Sequence, residues 1–121
     1  MSEDQVLAFA RTIRSVWTIE ILLCLARTPE RKWGEEELVR ELRASASVVN
    51  KGLRTLSAAG LVREEDTRFH YFPASDALRE LVAELAELYK VRPLAVTSAI
   101  FEAENPVQRF ANAFRIGKGP E

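Results

Sequence analysis

Ser45, Ser47, Asn50, Lys51 and Arg54 form a group of hydrogen-bonding side chains near the middle of the chain, two of them cationic. If the segment is helical and Val49, Leu53 and Leu56 take its buried face, the group projects on the other side. Hydroxyl, amide, ammonium and guanidinium groups in such a row suit a polyanion that also displays base edges, which is what a nucleic-acid duplex offers. Arg43 just before the row and Arg68 after it extend the surface, and no acid occurs between Ser45 and Ala59. Arg43, Lys51 and Arg68 are the expected phosphate contacts, with Ser47, Asn50 and Arg54 the expected base readers. The competing reading is a solvated helix face, and for Arg68 an ion pair with nearby carboxylates.

Other chemistry-bearing residues are sparse. The single cysteine, Cys24, sits in an apolar run and reads as a small core residue, and a lone histidine, His70, cannot build a metal site. Glu35, Glu36 and Glu37 are consecutive, so on a helix they fan out rather than converge, and their charge suits a helix start. Glu80, Glu84 and Glu87 share one face and read as a solvated stripe. Trp17 and Trp33 read as packing anchors. There is no glycine-rich phosphate loop and no nucleophile with a histidine partner, so an enzyme is not expected, and no cofactor is implied.

The elements that must position the row follow from periodicity. Ser2 and Gln5 have capping-box spacing, which predicts a helix over about residues 3–13 with Val6, Leu7, Phe9, Ala10 and Ile13 inward. Ser15 opens a second helix, Val16 to Arg27, apolar nearly all round and therefore expected to be covered on all sides as a central strut. A short helix from Glu35 to Arg43 buries Leu38, Val39 and Leu42. After the Arg43-Ala44 corner, Ser45 caps the helix that carries the row, and Gly60 ends it in a Schellman turn that folds Leu61 onto Leu56. Gly52 interrupts that helix, at a cost of about 1 kcal/mol relative to alanine, unless it admits a close backbone or base. From Leu61 to Pro73 the period becomes that of a β-hairpin with an Asp66-Thr67 tip. A long helix then opens at Ser75-Asp76 with Leu78, Leu81, Val82, Leu85, Leu88 and Tyr89 on one face. Beyond the Arg92-Pro93 break, helices are predicted over Leu94 to Phe101 and from Asn105-Pro106, the latter with Val107, Phe110, Ala111 and Phe114 aligned.

Two short helices, a tight corner and a hairpin give the order of a winged helix-turn-helix, so the expected fold is mainly α with a small β-hairpin and extra N- and C-terminal helices. The 121 residues, 47% hydrophobic and 29% charged, suit one domain: a core over 15–75, flanking helices over 1–14 and 76–115 that pair two copies, and a flexible tail over 116–121. The most apolar run, Val16 to Ala26, falls short of the roughly 20 residues a membrane span needs. No secretory signal is evident and a single cysteine forms no internal disulfide, so a cytoplasmic location is expected. The net charge of -1 disfavours a nucleic-acid partner on its own, and makes the local clustering of cations decisive.

The runs Trp17-Thr18-Ile19-Glu20-Ile21-Leu22-Leu23, Glu36-Glu37-Leu38-Val39-Arg40-Glu41-Leu42 and Val49-Asn50-Lys51-Gly52-Leu53-Arg54-Thr55-Leu56-Ser57-Ala58-Ala59-Gly60-Leu61-Val62 resemble the bacterial winged helix-turn-helix transcriptional regulators of the broad MarR and ArsR type. The resemblance covers roughly residues 15–75. It implies a homodimer that binds palindromic double-stranded DNA and regulates transcription. Glu64-Glu65-Asp66 departs from it, since such wings often carry arginine. The alternative expectation is a winged-helix protein-protein interaction module that does not bind DNA, with the C-terminal helices as a docking surface for another protein.

Overall fold

A computed structural model describes residues 2–104. The chain forms α1 (Glu3–Ile13), α2 (Val16–Arg27), α3 (Glu35–Leu42), α4 (Ala46–Ala58), β1 (Val62–Glu65), β2 (Arg68–Tyr71), α5 (Asp76–Val91) and α6 (Pro93–Glu104). Four helices start on a serine whose hydroxyl accepts a backbone N–H three residues on: Ser2, Ser15, Ser45 and Ser75. Each satisfies a donor that the first helical turn leaves without a partner. At α1 the box is reciprocal, the Ser2 N–H donating to Gln5 Oε1 at 3.0 Å.

Helix α2 is the strut. Its Ile19, Ile21, Leu22 and Leu25 are wholly buried, and it packs chiefly on α4 while touching α1, α3, β2 and α5. Helix α1 lies on α6 and α5. One cluster of buried side chains runs from Val6 through Leu38, Val49, Leu53, Leu56 and Leu61 to Leu85 and Ile100, joining all the elements. Among the described residues no helix is long and apolar enough to cross a membrane.

The expected exit from α4 is present. Gly60 takes φ +76°, the Leu61 N–H donates to the Leu56 carbonyl at 3.0 Å and the Gly60 N–H to that of Ser57 at 3.1 Å, which is the bond pair of a Schellman turn. The chain is thereby aimed into a two-stranded antiparallel sheet, with Val62 opposite Tyr71 and Glu65 opposite Arg68. Asp66 and Thr67 both have positive φ, 52° and 64°, as a two-residue hairpin of the type I′ kind requires. Trp33 adds a bridge on the far side of β2, exchanging backbone hydrogen bonds of 2.7 and 2.8 Å with Phe69. Its indole N–H donates to Thr28 Oγ1 at 3.0 Å, so Trp33 is a packing anchor and fastens the hairpin to the loop before α3.

Three expectations are revised. Trp17 is no anchor: it is 42% exposed, although Thr18 and Ile19 beside it in the first turn of α2 are buried. Gly52 admits no base, since it is buried and faces α2, where an added Cβ would lie 2.6 Å from Ile21 Cδ1 and 3.3 Å from Thr18 Oγ1. It does serve a close approach, but between two helices. Leu7 and Phe9 are only partly buried, the inward edge of α1 being Val6, Ala10 and Ile13. The helix expected from Asn105 and the tail over 116–121 lie outside the described residues.

Arg14, which ends α1, is held at φ +69° without the freedom of a glycine. L-residues with a Cβ pay roughly 1–2 kcal/mol there. Arg14→Gly is therefore expected to raise stability by about 0.5–1 kcal/mol, after glycine's larger unfolded-state entropy is subtracted. A chemical denaturation midpoint that fell instead would show that the arginine side chain contributes more than its backbone costs.

Candidate nucleic-acid interface

Helix α3 ends at Leu42, and Arg43 reverses the chain with φ +56° and ψ 40°. The Ala44 N–H bonds back to the Val39 carbonyl at 3.2 Å, and Ser45 at once caps α4. Three residues thus join two helices that pack on each other, the spacing of a helix-turn-helix corner. On α4 the side facing α2 is Val49, Gly52, Leu53 and Leu56, all buried. At about 100° per residue, Ser47, Lys51, Arg54 and Ala58 fall in a line roughly opposite. All four are exposed, and no other part of the described chain covers them.

Of the residues singled out from the sequence, Ser47, Lys51 and Arg54 are brought together on this open line. Lys51 forms no ion pair or side-chain hydrogen bond with the described residues. Ser45 spends its hydroxyl on the Val48 N–H at 3.1 Å, so its side chain serves as a cap first. Arg43 is exposed at the corner. Asn50 stands aside, half-buried toward α3: its Nδ2 donates to Glu35 Oε2 at 3.0 Å and its Oδ1 accepts from Arg54 Nε at 2.9 Å.

Arg68 lies elsewhere and is occupied. Its Nη2 bonds Glu37 Oε1 at 2.6 Å, and its Nε and Nη2 both donate to the Lys32 carbonyl. Its partner is thus a carboxylate of α3 rather than one of the hairpin. Glu37 also accepts the Gly34 N–H at 2.9 Å and so caps α3 from within. Beside this pair Lys32 Nζ holds Glu65 at 2.9 Å, which draws the Glu65 carboxyl below the usual carboxylate range. The hairpin is thereby tied to α3 by one ion pair and to the loop before it by another, in addition to the Trp33 bridge. Glu64 and Asp66 remain exposed at its tip.

The Glu37 carboxyl is held below its ordinary range by the Gly34 N–H first and by the Arg68 guanidinium second. A carboxyl with a lowered folded-state pKa stabilises the fold above the unfolded value of about 4.3, and that contribution is lost as pH falls through the folded value. The destabilisation caused by Glu37→Gln should accordingly be visible near pH 7 and shrink progressively as pH falls below the unfolded value. A deficit that persisted unchanged in acid would mean that shape and not charge holds this corner.

Elsewhere, burial raises the Cys24 thiol, which suits an inert core residue. Tyr89 on α5 donates to Glu20 Oε2 on α2 at 2.5 Å, and burial together with that carboxylate pushes its phenol up to about 12. That bond ties the long flanking helix α5 to the strut α2, on which α4 packs. The Trp33 bridge and the Glu35–Asn50–Arg54 chain went unseen in the sequence; the i, i+4 spacing of Asn50 and Arg54 was the only available hint of the second. No protein-family model, curated protein or solved structure matches the chain.

Proposed function

We propose that this chain is a winged helix-turn-helix protein that binds double-stranded DNA sequence-specifically as a homodimer and so regulates transcription. One observation carries the reading: the outer line of α4, with Ser47, Lys51 and Arg54, is uncovered, while the opposite line is fully committed to the core. A helix held from behind by α2 and α3 can enter a major groove about 12 Å wide. The bridge of Trp33 to Phe69 favours the winged form, because it sets the hairpin beside the helix pair as a fixed flank. Lys51 and Arg43 would contact phosphates, Arg54 and Ser47 base edges. Arg68, bonded to Glu37, would act mainly by fixing the hairpin.

Pairing of two copies rests on the flanking helices. Val91 and Leu94 adjoin at the α5–α6 corner with 71% and 78% exposure, apolar surface that a second copy would cover. On this reading the protein acts in the cytoplasm by occupying DNA and is not an enzyme. The exposed carboxylates of Glu64 and Asp66 and the engagement of Arg68 favour a second reading, a module that docks another protein.

Selection from a random duplex pool, followed by salt titration, separates the two. A DNA-binding regulator enriches a palindrome, and its affinity falls steeply with salt as counterions are released. A docking module enriches nothing and binds duplex weakly at every salt concentration.

A further inference from the structure

Asn50 has its two amide ends engaged in opposite senses. Its Nδ2 donates to the Glu35 carboxylate at 3.0 Å, and its Oδ1 accepts from Arg54 Nε at 2.9 Å. A flipped amide would set an NH2 against the guanidinium and an oxygen against the carboxylate, so the chain has one low-energy direction. Glu35 is the first residue of α3, where the helix dipole favours a negative charge. The order is therefore carboxylate, amide, guanidinium, running from a half-buried anchor to an exposed tip.

We infer that Glu35 is a positioning residue for base reading: through the Asn50 amide it presents the Arg54 guanidinium end-on to a guanine. The inference rests on the DNA-binding reading above and deepens it. A guanidinium can address guanine O6 and N7 either side-on, through Nε and one Nη, or end-on, through both Nη atoms. With Nε given to Asn50 the side-on mode is closed, and the four Nη hydrogens are without a partner among the described residues. An arginine free in solution samples many rotamers, whereas one tethered at Nε has part of that freedom removed before it meets DNA. The nearby Glu35 charge makes Arg54 a poorer phosphate contact and leaves a directional base contact as its better use.

The same geometry reassigns Asn50. Bidentate reading of adenine needs both amide ends aimed at the base, whereas here both are directed to partners within the chain, one of them on α3. Asn50 therefore orients Arg54 and does not read adenine itself.

The test uses the full chain and the duplex enriched from a random pool. Dissociation constants are measured for that duplex, for versions with single G·C to A·T replacements, and for random duplex at one salt concentration. Arg54→Ala is expected to erase the preference for one G·C pair, and Glu35→Ala to weaken preference at that same pair by about tenfold. Binding of Glu35→Ala to random duplex should be unchanged or tighter, since an anion has been removed. Glu35→Gln, which can still accept from Asn50, should restore most of the preference. Wild-type preference in Glu35→Ala overturns the inference, as does an equal loss on every duplex, which would mark a structural role. Loss at different pairs in the Glu35 and Arg54 variants also overturns it, while leaving the DNA-binding reading intact. A wild-type chain that enriches no sequence removes both.

Discussion

Replacing Lys51 and Arg54 together with glutamate is expected to weaken duplex binding by about a hundredfold or more, close to 3 kcal/mol, while the protein stays folded. The magnitude follows from two cations becoming two anions on the surface that would meet the phosphates. Each lost phosphate contact also flattens the dependence of log affinity on log salt by about one unit. The fold should tolerate the change because both residues are exposed on the side of α4 away from α2, and the one bond given up is that of Arg54 to Asn50. Exposed substitutions of this kind usually move stability by no more than about 0.5 kcal/mol. Fluorescence anisotropy with a labelled duplex, read beside a thermal melt, checks both halves. Unchanged affinity in a folded double variant would move the interface off α4 and favour the docking module.

The largest effect on stability is expected at Gly52. A leucine there should cost about 3 kcal/mol or more, because its side chain must enter the contact between α2 and α4. Ile21 is wholly buried and Thr18 nearly so, leaving neither much room to withdraw. Alanine should behave differently. Its single methyl group gains about 1 kcal/mol of helix propensity, which offsets turning the Ile21 side chain away, so the net change lies near zero. Guanidinium denaturation of the two variants separates these outcomes. A leucine variant as stable as the wild type would mean that the two helices can move apart freely. If α4 is the reading helix, Gly52→Leu should also lower DNA affinity, by displacing that helix from the hairpin and from α3.

The helices and the hairpin were readable because their signals are local. Serine caps, the alternation of buried and exposed positions in α4, and a glycine followed by leucine at its end each act within one or two turns. What escaped depends on pairs far apart in the chain. Trp33 and Phe69 are joined by backbone atoms, and a bridge one residue long has no period to detect. Glu35 and Asn50 lie on different helices, and only the packing of α3 on α4 brings carboxylate and amide together. Gly52 was ambiguous for another reason: having no side chain, it carries no hydropathy, although its angle about the helix axis falls within the arc of Val49 and Leu56. In α2, apolar residues on every side leave periodicity silent about which position stays uncovered, and Trp17 is the result. Within the row on α4, sequence distinguished inward from outward positions but not outward from sideways, so Asn50 was grouped with the free donors.

The sheet has one more consequence. Strand β2 is flanked by β1 on one side and by Trp33 on the other, whereas β1 has β2 as its single neighbour among the described residues. An unpaired strand border invites a strand from another molecule, and proteins discourage this by placing charges along it. Arg63, Glu64 and Glu65 stand in sequence on β1. Arg63 and Glu64, exposed on β1, would therefore discourage edge-to-edge strand pairing between molecules, and on the proposed reading an uncharged residue at Glu64, put there to improve duplex affinity, would trade solubility for grip.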